Sequence, residues 1–266
     1  MKLRETLVVA AVVAISLPTA GCSSESTKNT QERWTGLVSD VRFTWDASPG
    51  IDVTSGPSVP ARAFVESMNL AQYTGNIGST YPGFDRAVRH DEPAKGLWVS
   101  RPDLDGALSR PLVGTDRYRI LRFDSANESL TATICNYRYE VAGQELDGNY
   151  SSAGGIGAGP AKGMQVLRVS MVPPPQPSQL PPQSGPDPAP SDDVFGDWRI
   201  NGLLTAYSRN KPGFDEAWPT FDADQSACVA ANPVPPARRE ALTTGQHTRS
   251  DFPTSPPSPG WPAPSQ

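Results

Sequence analysis

The chain has 266 residues, with 23 Lys and Arg against 28 Asp and Glu and a formal net charge of −5. That balance excludes a nucleic-acid binder acting through phosphate neutralisation, which needs clustered surplus Lys and Arg, and it gives no electrostatic pull toward anionic lipid. With only 3 Cys and 2 His, the chain also lacks the ligands for a thiolate or imidazole metal site.

The chain opens with Lys2 and Arg4, followed by "LVVAAVVAISL" over 7–17, eleven residues without a charge. A spanning helix needs about 20 apolar residues, whereas this length suits a signal-peptide core. Small residues Thr19, Ala20 and Gly21 lead into Cys22, and "LPTAGCSS" resembles a bacterial lipoprotein signal, with Thr19 where such signals usually carry Leu. The resemblance implies that residues 1–21 are cut away and that Cys22 carries lipid, which holds the protein at the outer face of the cytoplasmic membrane. Ordinary secretion and a retained anchor are the alternatives. Cleavage leaves 245 residues, removes Lys2, Arg4 and Glu5, and moves the formal charge from −5 to −6. Attachment then rests on acyl chains, and stable anchoring takes two or more. With Cys22 used for lipid, Cys135 and Cys228 form an even pair that an oxidising compartment permits to bond, against the alternative of two buried thiols. Such a bridge closes a loop of ~94 residues and contributes on the order of 4–5 kcal/mol in a chain-entropy account.

Residues 22–33 contain the apolar-free "SSESTKNTQE" and read as a flexible tether. Order begins near Trp34. Val41, Phe43 and Trp45 alternate with Arg42 and Thr44, the period of a half-buried strand. A helix follows over 58–73, with Ser58 placed to cap it, Pro60 in its first turn, and Phe64, Met68 and Ala71 on one stripe. A second, short helix is expected over 84–89, after Pro82-Gly83. Strands are expected at 117–123 and 129–141, joined as a hairpin by "DSANE", then at 164–172 and 198–208. The 173–190 passage is proline-rich and expected to be polyproline-like or mobile. Beyond Tyr207 the sequence reads as irregular through "WPTFDADQSACVAANP", then as a short helix in "ARREALTTG".

"PGFDRA" at 82–87 recurs as "PGFDEA" at 212–217, but the similarity does not extend outward. The pair therefore reads as one turn-to-helix device used twice rather than as a duplicated domain. The expected architecture is a single α+β domain over 34–230. Its N-terminal helices pack on a curved antiparallel sheet of about four to five strands, and a proline-rich extension occupies 231–266. Phe252 and Trp261 are placed in that extension as if to anchor it to a surface, with disorder as the alternative.

The segments "VPARAFVESMNLAQYTG", "YPGFDRAV", "TATICNYRY", "DDVFGDWRINGLLTAYS", "DQSACVAANPVPPARREAL" and "RSDFPTSPPSPGWP" resemble a family of exported mycobacterial and other actinobacterial proteins, many of them lipoproteins. The resemblance covers roughly 41–264, implies that the tail belongs to the folded unit, and supplies no catalytic residues. A second resemblance, carried by the order helix, hairpin, strand and the strand ending "DWRINGLL", is to the nuclear-transport-factor-2-like cone. There, helices pack on a curved sheet around a pocket. The strand at Val41–Trp45 departs from the usual order of that cone.

Motifs with catalytic potential fail on context. "SRNK" at 208–211 has Ser-x-x-Lys spacing, but Pro212-Gly213 breaks the helix that the motif requires, and its companion motifs are missing. "GGIGAGPAKG" at 154–163 runs into a strand, whereas a phosphate loop opens a helix. His90, Asp91 and Glu92 are neighbours whose side chains diverge, and His247 has no nucleophile elbow to serve. The six Trp and seven Tyr either line an apolar pocket or, the plainer reading, form core. The expectation is a non-catalytic, membrane-tethered binding or accessory lipoprotein without cofactor or metal. Its partner would be a small apolar ligand, an envelope lipid or another envelope protein. A scaffold acting through its proline-rich segments, or an envelope hydrolase, is the alternative.

Overall fold

The computed structural model describes residues 33–88, 97–155, 157–176 and 180–264. The signal 1–21, Cys22, the tether up to residue 32 and the His90, Asp91, Glu92 cluster lie outside the described residues.

The two-residue alternation forms β1, Asp40–Ala47, with Val41, Phe43 and Trp45 buried. Helix α1, Ser58–Thr74, departs from expectation at its start. Pro57 holds the cap position, no side chain caps the helix, and Ser58 is its first residue. Gly75 ends it in the left-handed conformation, φ 62°, with its N–H turned back to the carbonyls of Ala71 and Gln72. The repeated motif is one device used twice. Gly83 and Gly213 adopt φ 85° and 81°, and each opens a single helical turn, α2 at Phe84–Ala87 and α3 at Phe214–Ala217. Glycine reaches this positive φ without the Cβ clash that other residues meet.

The remaining strands are β2 (Leu112–Ala126), β3 (Ser129–Tyr137), β4 (Val141–Gln144), β5 (Tyr150–Ser152), β6 (Met164–Val172) and β7 (Arg199–Thr205). They run in the order β5-β4-β2-β3-β6-β7, with β1 added parallel to β2. The sheet thus has seven strands rather than four or five, and it is mostly antiparallel. The excess has two sources. The expected strand 129–141 breaks after Tyr137 and resumes as β4, which pairs with the start of β2. The short β5 also pairs with β4 in a stretch of weak alternation.

Helices cover both faces, not one. On one face Ile120, Ala132, Ile134, Leu167 and Val169 pack with Phe64, Val65 and Leu70 of α1. On the other, Cys135, Tyr137, Met164 and Val166 pack with Phe214, Trp218, Phe221 and Leu242. The second layer comes from the region expected to be irregular, which contains α4, Phe221–Ala230, and from α5, Pro236–Leu242. Asp222 and Asp224 lie in the first turn of α4, where acidic groups complement the helix dipole. Cys228 on α4 is bonded to Cys135 on β3 across 93 positions, so the pairing expected from cysteine parity locks this layer to the sheet centre.

The tail is part of the body. Phe252 is fully buried in the second core and Trp261 in the first. The Trp45 N–H donates to the Ser258 carbonyl, so the tail runs along the open edge of β1. Trp261 and Asp187 exchange backbone hydrogen bonds at 2.8 and 3.1 Å, tying the tail to the proline-rich passage. Their approach requires glycines. A Cβ on Gly185 would lie 2.3 Å from the Trp261 carbonyl oxygen, and one on Gly260 would lie 2.4 Å from the Gly185 oxygen.

Beneath these segments sit two fully buried charges of α1. Glu66 accepts from Trp45 Nε1 at 2.6 Å, the Tyr81 hydroxyl at 2.6 Å and Trp261 Nε1 at 2.8 Å. Arg62, one turn earlier, donates to the carbonyls of Val53 at 2.9 Å and Pro259 at 2.8 Å, and lies 4.4 Å over the Trp261 ring. Glu66→Ala would strand two buried indole N–H groups and remove the carboxylate whose charge offsets the buried Arg62 guanidinium. Loss of one partner from such a cluster costs about 3–5 kcal/mol. A urea denaturation midpoint lower by that equivalent is expected, and a change below ~1 kcal/mol would show that the cluster does not hold the tail.

Candidate functional site

Between α1 and the first face of the sheet lies a cavity of about 790 Å³. Its apolar walls are Val65 and Met68 from α1, Leu167 from β6, Leu203 from β7, and Val99 and Leu104 from the segment entering β2. That segment is held in place by β7, because Val99 and Leu203 exchange backbone hydrogen bonds at 2.8 Å each way. The wall residues follow from strand geometry. Leu167 faces α1 because the adjacent Val166 faces the opposite core.

One end of the cavity is polar. Asp116 of β2 is fully buried and accepts from Asn136 Nδ2, from the Tyr118 hydroxyl at 3.1 Å and from the Tyr73 hydroxyl at 3.5 Å. The chain continues both ways. Asn69 of α1 donates to Tyr118 Oη at 3.2 Å, and Gln165 of β6 donates to Asn136 Oδ1 at 2.9 Å. Arg138 completes the group, with Nε 3.7 Å from Asp116 Oδ2 and the guanidinium 5.5 Å from the Tyr73 ring centroid. Asn69, Gln165 and Arg138 all line the cavity. Burial raises the Asp116 carboxyl above the usual carboxylate range, against the opposing pull of Arg138 and the three donors. Burial and the Asp116 charge in turn push the Tyr118 hydroxyl well up.

The residues singled out from sequence fall as follows. Cys135 and Cys228 are together and buried, far from any role in the cavity lining. Ser208 and Lys211 both reach the lining, but Ser208 is buried, donates to the Leu97 carbonyl at 3.2 Å, and sits in a single 3-10 turn. His247 lies off the cavity, with Nδ1 3.6 Å from Asp251 and Nε2 3.0 Å from the Thr244 carbonyl oxygen. The glycine-rich stretch is a loop leading into β6, and its Lys162 pairs with Glu240 at 3.1 Å. Trp34, Trp45, Trp218 and Trp261 are core, and Tyr207 is the aromatic residue of the lining among the described residues.

Sequence reasoning missed Asp116, Asn136 and Arg138. A faint signal existed: Asn136 and Arg138 are polar positions bracketing an aromatic residue in a strand whose neighbours are apolar. Comparison with family models, with curated proteins and with solved structures finds no match.

The raised Asp116 carboxyl gives a pH prediction. The native state holds this proton more tightly than the unfolded chain, whose Asp titrates near about 3.9. Its contribution is therefore complete below that pH and falls as pH rises toward the native-state value. Asp116→Asn removes the titrating group and can keep the bond with Asn136 through its amide oxygen, while its NH2 would turn the two tyrosine hydroxyls from donors into acceptors. Denaturation midpoints taken across mildly acidic to neutral pH should decline less in Asp116→Asn than in the parent, and equal slopes would refute the assignment.

Proposed function

We propose that the protein is a non-catalytic lipoprotein of the cell envelope, tethered through lipid on Cys22, whose body binds a small, mainly apolar ligand. The observation carrying this reading is the cavity of about 790 Å³ with walls of Val65, Met68, Val99, Leu167 and Leu203. Its size falls in the range typical of small-molecule sites, and its lining sets these apolar walls beside polar side chains such as Asn69, Gln72, Arg138 and Gln165. A curved sheet closing on α1 is the arrangement that the resemblance to the nuclear-transport-factor-2-like cone implies. The expected signal at 1–21 ahead of Cys22 and the resemblance to exported actinobacterial lipoproteins support the envelope location.

A scaffold working through proline-rich segments is less well supported. Its candidate passage has Gln183 and Ala189 buried, with the Gln183 N–H donating to the Thr54 carbonyl at 2.7 Å. Groups already bonded within the body are not offered to a partner groove. A hydrolase is less well supported: the His247 and Asp251 pair lies off the cavity, and of the lining carboxylates Asp103 accepts from the Asp105 backbone N–H at 3.1 Å.

Two measurements test the proposal. Native mass spectrometry of the protein extracted gently from an actinobacterial envelope should show added mass that leaves on denaturation. A mass explained by the chain, its lipid and the Cys135–Cys228 bond alone would count against a ligand. Cys22→Ser should move the protein from the membrane to the soluble or retained-precursor fraction on cell fractionation, and unchanged behaviour would refute the lipid anchor.

A further inference from the structure

We infer that the cavity recognises an amphipathic carboxylate, with the acid head on Arg138 and the apolar body along Val65, Met68, Leu167 and Leu203. This rests on the ligand-binding reading above and adds the chemistry of the ligand. Arg138 is fixed from both sides. Its backbone N–H donates to the Gly163 carbonyl at 2.9 Å, and its own carbonyl accepts from Val141 at 3.0 Å. The side chain is 18% exposed, and it lines the cavity. An arginine carries five N–H donors and stays charged in proteins. None of those of Arg138 meets an acceptor within hydrogen-bond distance among the described residues, and its Nε is buried without one.

The obvious internal acceptor is already occupied. Asp116 lies 3.7 Å from Arg138 Nε while accepting from Asn136, Tyr118 and Tyr73. The ion pair offsets charge but leaves the guanidinium fork unfilled. A planar two-oxygen head satisfies that fork with parallel charge-assisted hydrogen bonds. Arg101, Lys211, Asp103 and Asp105 also line the cavity, two cations against two anions, so the charge of that part of the lining is balanced. The Asp103 carboxylate is turned back on its own backbone, accepting from the Asp105 N–H at 3.1 Å, and Arg138 stands half-buried between the apolar walls and Asp116. An uncharged ligand of the same length would fill the walls and leave the fork unsatisfied.

The test is calorimetric titration of the purified mature protein with dodecanoate, dodecanol and dodecyltrimethylammonium, each kept below micelle formation. Dodecanoate should bind roughly tenfold to a hundredfold more tightly than dodecanol, the range expected for a hydrogen-bonded charge, and the cation should bind weakest. Arg138→Gln should reduce dodecanoate to the dodecanol level and leave dodecanol unchanged. Equal binding of dodecanoate and dodecanol by the unmodified protein would overturn the head-group assignment while leaving the apolar cavity in place. Failure of every probe to bind would overturn both readings. The comparison of probes on the unmodified protein decides the matter even if Arg138→Gln does not fold.

Discussion

Arg62 and Glu66 stand one turn apart on a helix with almost no exposed surface, and a charge withdrawn from water must find partners or destabilise the fold by several kcal/mol. Their partners come from five separate stretches of chain: β1 through Trp45, the loop at Val53, Tyr81, the proline-rich passage at Gln183, and the tail at Pro259 and Trp261. Together they satisfy one buried pair. That requirement places the tail along β1, which in turn covers an edge that would otherwise present unpaired backbone groups.

The second face is held by a different device. The helices α3, α4 and α5 are short, and isolated helices of this length are marginal in water. They stay on the sheet because Phe214, Trp218 and Phe221 form a tight aromatic group, with ring centroids 5.0 to 6.0 Å apart, and because Cys228 is bonded to Cys135. The Tyr137 hydroxyl adds a bond of 3.0 Å to the Cys228 carbonyl, so the covalent link and the polar contact fix the same turn of α4. Asp224 secures the entrance of that helix by accepting from Trp218 Nε1 at 2.8 Å and pairing with Arg122 of β2.

These two clamps leave the middle of the first face less filled, and the cavity lies there. Its polar end is assembled from Asp116 on β2, Asn136 on β3, Gln165 on β6 and Asn69 and Tyr73 on α1, four elements that only the completed sheet and helix bring together. Beside Asp116, whose carboxyl burial raises, the buried Nε of Arg138 has no acceptor within hydrogen-bond distance. If the proposed ligand binds at Arg138, its occupation of the site should raise the stability of the whole domain.

Short-range physics was legible in the chain. The period of two in β1, the stop of α1, the matched turns at Gly83 and Gly213, the strand at 164–172 and the parity that pairs Cys135 with Cys228 all depend on residues close together or on simple counting. The count of strands, the second helical layer and the parallel placement of β1 were not legible, because each depends on which distant segments share a hydrogen-bonded edge. Arg62 and Glu66 illustrate the limit most clearly. Spaced four apart on an amphipathic helix, they have the pattern of an exposed ion pair. Only the tertiary structure, by laying the proline-rich passage and the tail over that side of α1, turns the would-be solvent face into the buried centre of the molecule.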